Sequence, residues 1–199
     1  MKRMKYFFLL LVVLSLVLAT IPFSPVSAAG EIVSIGPAVT EPVPGGTISP
    51  GATFYVDVNI NMVTNLGTGQ YAIAYNPAVI QIVGPEGGPA GVTDGVVGGT
   101  DFGVAMWSYS PVGTPGATIV LQAVDSVLFP ATGTGYLARV HFQALPGTAG
   151  LSSFINFVDL PSATPPFTRG LWNNMSLEIT GVTWTNGSVS IVAPPPPER

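Results

Sequence analysis

From Thr53 to Asn61 the chain alternates residue by residue. Phe54, Val56, Val58 and Ile60 fall on one face, with Thr53, Tyr55, Asp57, Asn59 and Asn61 on the other. A period of two belongs to an extended strand with one side buried, and no helix can satisfy it. Similar short runs recur between residues 30 and 193, bounded by Gly, Pro, Asn and Thr, and no long amphipathic helical period appears there. The pattern predicts an all-β fold. Further strands are expected at Glu31–Gly36, Gln70–Tyr75, Val79–Val83, Asp101–Tyr109, Ala117–Val124, Gly135–Leu145, Leu151–Val158, Ser176–Thr180 and Ser188–Val192. Turn chemistry separates them at Pro44-Gly45-Gly46, Gly84 to Pro89, Pro111 to Gly116, Pro146-Gly147 and Asn186-Gly187.

The ends carry different signals. Lys2, Arg3 and Lys5 precede an apolar stretch from Tyr6 to Ile21, and Val26-Ser27-Ala28-Ala29 offers small residues for cleavage. Residues 1–29 therefore read as a cleavable signal peptide. The apolar run is short for a bilayer span of about 20 residues, so no membrane span is expected in the mature chain. Residues 30–193 form one expected domain, and 194–199, Pro194-Pro195-Pro196-Pro197-Glu198-Arg199, an extended tail or linker start. A secreted, extracellular or cell-surface location follows. With no cysteine in the chain, neither a disulfide framework nor a thiolate site can form.

Charge narrows the partners. After the signal, Arg139, Arg169 and Arg199 face ten carboxylates, a net charge of −7 with no lysine. Such a surface repels phosphate backbones and anionic lipid, so no nucleic-acid partner is expected.

Three segments together resemble a known family. They are Asn65-Leu66-Gly67 with Tyr71-Ala72-Ile73-Ala74-Tyr75-Asn76-Pro77-Ala78-Val79-Ile80, then Gly133 to Gly147, and the closing Asn186-Gly187-Ser188-Val189-Ser190-Ile191. In this order and spacing they are similar to the cohesin domain, the module of bacterial scaffolding proteins that captures dockerins. The resemblance covers about residues 31 to 193. It implies a nine-stranded jelly-roll-like β-sandwich, a fold shared with several carbohydrate-binding modules. It also implies a dockerin-type partner, with any calcium on the dockerin and no cofactor here. Asn76 stands where the family usually has Asp, and the polar contact positions fall on Thr68 and Gln70, neither of them charged. Asp125 is brought near the partner face by the same resemblance.

In Gly135–Leu145, Tyr136, Ala138, Val140, Phe142 and Ala144 form the expected inward set, with Arg139, His141 and Gln143 outward. On Asp101–Tyr109, if Phe102, Val104 and Met106 face the core, Trp107 and Tyr109 stand side by side outside. Exposed aromatics anchor protein partners and stack on sugar rings; the alternatives are an inverted phase or packing under a loop. Trp172 and Trp184 read as loop-packing or core residues.

Catalytic chemistry finds little material. His141 is the only histidine, no Gly-x-Ser-x-Gly turn occurs, and the carboxylates show no pattern of facing pairs. Asp94, Asp101, Asp125 and Asp159 read as turn-formers rather than calcium ligands, with no Asp-x-Asp-x-Asp-Gly loop. No catalytic or metal residue is expected. Asn174-Met175-Ser176 and Asn186-Gly187-Ser188 match a glycosylation sequon that chance supplies often, and the second is adequately explained as a hairpin turn. The leading expectation is a non-catalytic dockerin-binding module serving extracellular polysaccharide degradation, using Thr68, Gln70, Trp107, Tyr109 and Asp125. The alternatives are a carbohydrate-binding module holding polysaccharide directly, or a structural or adhesive surface module favoured if the aromatics prove buried.

Overall fold

In the computed structural model, residues 30–42, 44–45, 47–123, 130–163 and 165–193 are described. The expected signal peptide over 1–29, Asp125 and the proline-rich tail over 194–199 lie outside them.

Twelve strands and no helix occur among the described residues: β1 (Ile32–Ile35), β2 (Val39–Glu41), β3 (Thr53–Tyr75), β4 (Ile80–Ile82), β5 (Val92–Val97), β6 (Thr100–Tyr109), β7 (Ala117–Ala123), β8 (Ala131–Ala144), β9 (Ser152–Val158), β10 (Gly170–Asn173), β11 (Thr183–Thr185) and β12 (Gly187–Ser190). The count exceeds nine because short edge strands β2, β10 and β11 are present beside the main ones. β5 was hidden in the sequence by Asp94 and Gly95, which are poor strand formers. Conversely, Ser176–Thr180 is not a strand; Glu178 makes only an isolated bridge to Trp172.

The long β3 organises both layers. Its first half pairs with β8 on one side and with β1 and β2 on the other. Its second half pairs with β7 on one side and with β9 and β10 on the other. Between the halves the chain turns over, with Met62 (φ 53°) and Asn65 (φ 57°) in the left-handed region. The corner amides that leave the ladder are taken up by β8 threonines: Met62 N–H donates to Thr134 Oγ1 at 3.3 Å and Asn65 N–H to Thr132 Oγ1 at 3.0 Å. Pairings of β7 with β6, β6 with β5 and β5 with β8 close the circuit. β7 and the second half of β3 are thereby paired on both sides, whereas β6 meets β5 only over Thr100–Phe102.

The core lies between the two halves of β3. Phe54, Val56, Val58 and Ile60 are buried, as their alternation requires. Phe54 stacks on Phe142 of β8 at 5.6 Å between centroids, and Tyr75 from the returning half meets Phe142 edge-on at 5.3 Å. Val140, Phe142 and Ala144 point inward as expected, but Tyr136 does not. A register shift opposite Val58 and Asn59 inserts Leu137 as the extra inward residue, leaving Tyr136 half-buried on the outer side. One extra residue in one strand reverses the faces beyond it. Gly95 shows the tightness of this layer: a methyl group there would run into the carbonyl oxygens of Tyr136 and Leu137.

Candidate docking face

The outer face of the second layer is built from β3, β7 and β6 side by side. On β7, Thr118, Val120 and Gln122 point inward, so Ile119 and Leu121 point out. On β3, Gln70 is the outward neighbour of Leu121, while Gly69 and Tyr71 face in. On β6, Met106 is 52% exposed and Ser108 half-buried. These side chains floor a groove of about 920 Å³, walled by Ser110 to Val112 on one flank and by a flap of Asp159 to Ala163 and Pro165 to Phe167 on another.

Both walls are pinned. Glu86 Oε1 accepts the Tyr109 N–H at 2.6 Å and its Oε2 accepts the Gly113 N–H at 2.9 Å, fastening the turn after β6. The flap closes on itself through paired backbone bonds between Leu160 and Phe167. Asp159 Oδ1 accepts the Arg169 N–H at 3.0 Å at its base, and Gln70 Nε2 donates to the Thr168 carbonyl at 2.6 Å. Arg169 Nη1 also donates to the Phe157 carbonyl at 3.0 Å, and its guanidinium lies 5.7 Å from the Trp184 ring. Trp184 itself packs against Phe157 at 4.9 Å, the packing role expected for it. Among the described residues, Asp159 is the one charged residue lining the groove.

The anticipated contact residues separate. Gln70 lies in the groove, but its amide holds the flap. Thr68 does not line the groove, and its hydroxyl donates to the Gln122 carbonyl at 2.6 Å. Trp107 and Tyr109 do not stand on the outer face: they are 3% and 6% exposed. The register of β6 against β7 shifts between Val104 and Met106, so Phe102 and Trp107 both reach the interior although five positions apart. The bulge inverts the phase that simple alternation gives. The indole Nε1 then donates to the Gly88 carbonyl at 2.8 Å, beneath the loop after β4. Tyr109 still contributes to the groove lining, and burial pushes its hydroxyl pKa up.

Ile119, Leu121, Leu160 and Phe167 are groove residues that sequence reasoning did not single out, and Met106, expected to face the core, is turned out into the groove by the same bulge. One signal was available: Ile119 and Leu121 alternate with Val120, so both faces of that strand are apolar, which marks a strand covered on both sides.

On the opposite layer, Arg139 forms a bidentate pair with Asp57 at 2.8 and 3.1 Å, and Tyr55 lies under its guanidinium at 3.8 Å. The hydrogen bond to Asp57 raises the Arg139 pKa above its ordinary value. His141 lies on the outer side as expected but is largely covered. Its Nδ1 is 3.0 Å from Glu41 Oε2 and its Nε2 3.4 Å from Thr93 Oγ1. The order carboxylate, imidazole, hydroxyl matches a hydrolytic triad, yet none of these three residues lines the groove or the small cavity around Trp184. A triad works only with a substrate carbonyl seated beside donors for its oxyanion. Here the three groups tie β2, β8 and β5 together. Among the described residues, no three His, Asp or Glu side chains gather as a metal site.

No family model and no curated protein matches the sequence. Solved structures do. A non-cellulosomal cohesin from the hyperthermophilic archaeon Archaeoglobus fulgidus superposes with a TM-score of 0.56 at 16% identity, over 83% of this chain and 93% of that one. This chain has the cohesin fold. A type II cohesin domain from the cellulosome of Acetivibrio cellulolyticus gives 0.57 at 19% identity, over 81% and 94%. The sixth cohesin of that organism's scaffoldin B, solved in complex with a dockerin, gives 0.56 at 16%, over 82% and 99%. The cohesin fold accounts for the all-β architecture and the long paired layers; at these identities the likeness is one of fold.

Proposed function

We propose that this chain is an exported, non-catalytic module that docks a dockerin-type protein partner in the groove over β3, β7 and β6, in the service of extracellular polysaccharide breakdown. The observation that carries the reading is the groove itself: an apolar floor on rigid paired strands, with both walls fastened by hydrogen bonds, on a fold whose solved relatives include complexes with dockerins. Apolar exposure flanked by polar loops is the signature of a protein-binding site. Calcium, where needed, belongs to the partner.

The test is direct binding of the full chain to calcium-loaded dockerins of several classes by biolayer interferometry. At least one class binds, calcium chelation abolishes the signal, and Leu121→Asp weakens binding 100-fold or more with the melting temperature little changed. Absence of binding across all classes rejects the reading.

Burial of Trp107 and Tyr109 bears on the rivals. It removes the stacking platform on which direct glycan binding rested. It favours a structural or adhesive surface module as the second reading, which the same experiment would leave standing if no dockerin bound.

A further inference from the structure

We infer that the outer edge of β6 is a strand-pairing surface that fits a second copy of this chain, and that Asp94 and Glu86 keep it closed by occupying amides a partner strand would use. Three observations converge on this.

The first is an unpaired edge. β7 holds one side of β6 from Gly103 to Tyr109, whereas β5 covers the other side only over Thr100–Phe102. Ser110 N–H donates to the Ala117 carbonyl of β7. By alternation Ser108 also turns its amide toward β7, and Trp107 and Tyr109 turn theirs away. Beyond Phe102, no backbone hydrogen bond reaches that side of β6 among the described residues.

The second is what stands there instead. Asp94 Oδ1 accepts the Val104 N–H at 2.7 Å, and Glu86 Oε1 accepts the Tyr109 N–H at 2.6 Å. Between them the loop after β4 runs alongside the strand. Its Gly88 carbonyl accepts the Trp107 indole N–H, and a methyl group on Gly87 would lie 3.6 Å from the Trp107 carbonyl oxygen. Each carboxylate takes the place of a carbonyl on a neighbouring strand. A carboxylate accepts an amide more strongly than a carbonyl does, so a second strand displaces these caps at a net loss.

The third is the composition of the strand. Phe102 to Tyr109 carries no charge and no proline, and three of its side chains are aromatic: Phe102, Trp107 and Tyr109. An edge of this kind pairs with a copy of itself unless something blocks it. Laid antiparallel about a twofold axis, two β6 edges bring the same residues together with no charge on either strand to hold them apart.

Sedimentation velocity of the full chain from 5 to 500 μM reads the assembly, and amide exchange at both ends of that range reads the surface. The parent chain stays monomeric. Glu86→Ala with Asp94→Ala doubles the sedimenting mass at the upper concentration, and the Val104, Trp107 and Tyr109 amides exchange at least tenfold more slowly there than at 5 μM. Asp94→Ala alone, which leaves Glu86 fastening the turn after β6, shifts the same way to a smaller extent. Glu86→Gln with Asp94→Asn keeps an acceptor on each amide and remains monomeric. Adding Val104→Pro to the double alanine variant removes one freed donor and restores the monomer. Asp57→Ala, which weakens the other layer, also remains monomeric, so lost stability alone does not cause assembly. Monomers at 500 μM for both the double alanine variant and Asp94→Ala overturn the inference. So does a dimer whose three amides exchange alike at both concentrations, or an equal dimer formed by Asp57→Ala.

Discussion

Replacing Trp107 separates a core residue from a surface platform. The indole is 3% exposed, lies edge-on to Tyr109 at 5.6 Å, and donates to the Gly88 carbonyl at 2.8 Å. The loop covers it closely: a methyl group on Gly91 would sit 2.6 Å from the indole Cζ2. Trp107→Ala removes a large packed side chain, a change that costs about 3–5 kcal/mol where the site cannot collapse. Trp107→Phe keeps most of the ring burial but loses the hydrogen bond, and should cost about 1–2 kcal/mol. For a chain of this size each kcal/mol moves the melting temperature by about 2–4 °C, so the alanine variant should melt about 6–20 °C lower. Urea unfolding followed by far-ultraviolet circular dichroism gives the free energies, with the slope unchanged if the transition remains two-state. An exposed aromatic would move stability by only about 0.5 kcal/mol. A Trp107→Ala variant as stable as the parent but defective in partner binding would refute the placement of this indole and restore the platform.

Three other outcomes are expected. Gly95→Ala should leave little soluble folded protein, because its methyl group meets the backbone carbonyls of Tyr136 and Leu137 rather than a side chain able to move; soluble yield and melting temperature read this. Burial raises the hydroxyl pKa values of Tyr71, Tyr75 and Tyr109, so the folded state favours their neutral forms. That contribution is complete below the unfolded tyrosine pKa of about 10 and is lost as the pH climbs from there toward the folded values. Absorbance at 295 nm should accordingly show these three ionising late, with the bulk of their change coinciding with alkaline unfolding. Asp57→Ala leaves the Arg139 guanidinium without its bidentate partner and should cost about 1–2 kcal/mol by urea unfolding, partly recovered when Arg139→Met is added.

Much of the fold was legible before any coordinates, because strand patterning is local. Phe54, Val56, Val58 and Ile60 announced a buried face through their own spacing, and Val140, Phe142 and Ala144 did so for the strand beside it. Gly and Pro marked most of the turns. The candidate site was less visible. Thr68 and Gln70 were singled out as polar contacts, yet both spend their side-chain hydrogen bonds within the chain. The flap that walls the groove reads in sequence only as a proline-rich connection, Leu160-Pro161-Ser162-Ala163-Thr164-Pro165-Pro166-Phe167.

By itself the sequence determined the all-β class, the positions of the main strands and a core face written in alternating residues. Each of these needs only neighbours along the chain. The tertiary structure decided which way Trp107, Tyr109 and Tyr136 point, since a single bulged residue reverses a strand's faces and its position is set by register against the partner strand. It also shaped the groove, whose walls are held where Gln70 reaches Thr168, 98 positions away, and Glu86 reaches Tyr109 across a folded loop. Contacts between distant residues leave no periodic trace in the order of amino acids.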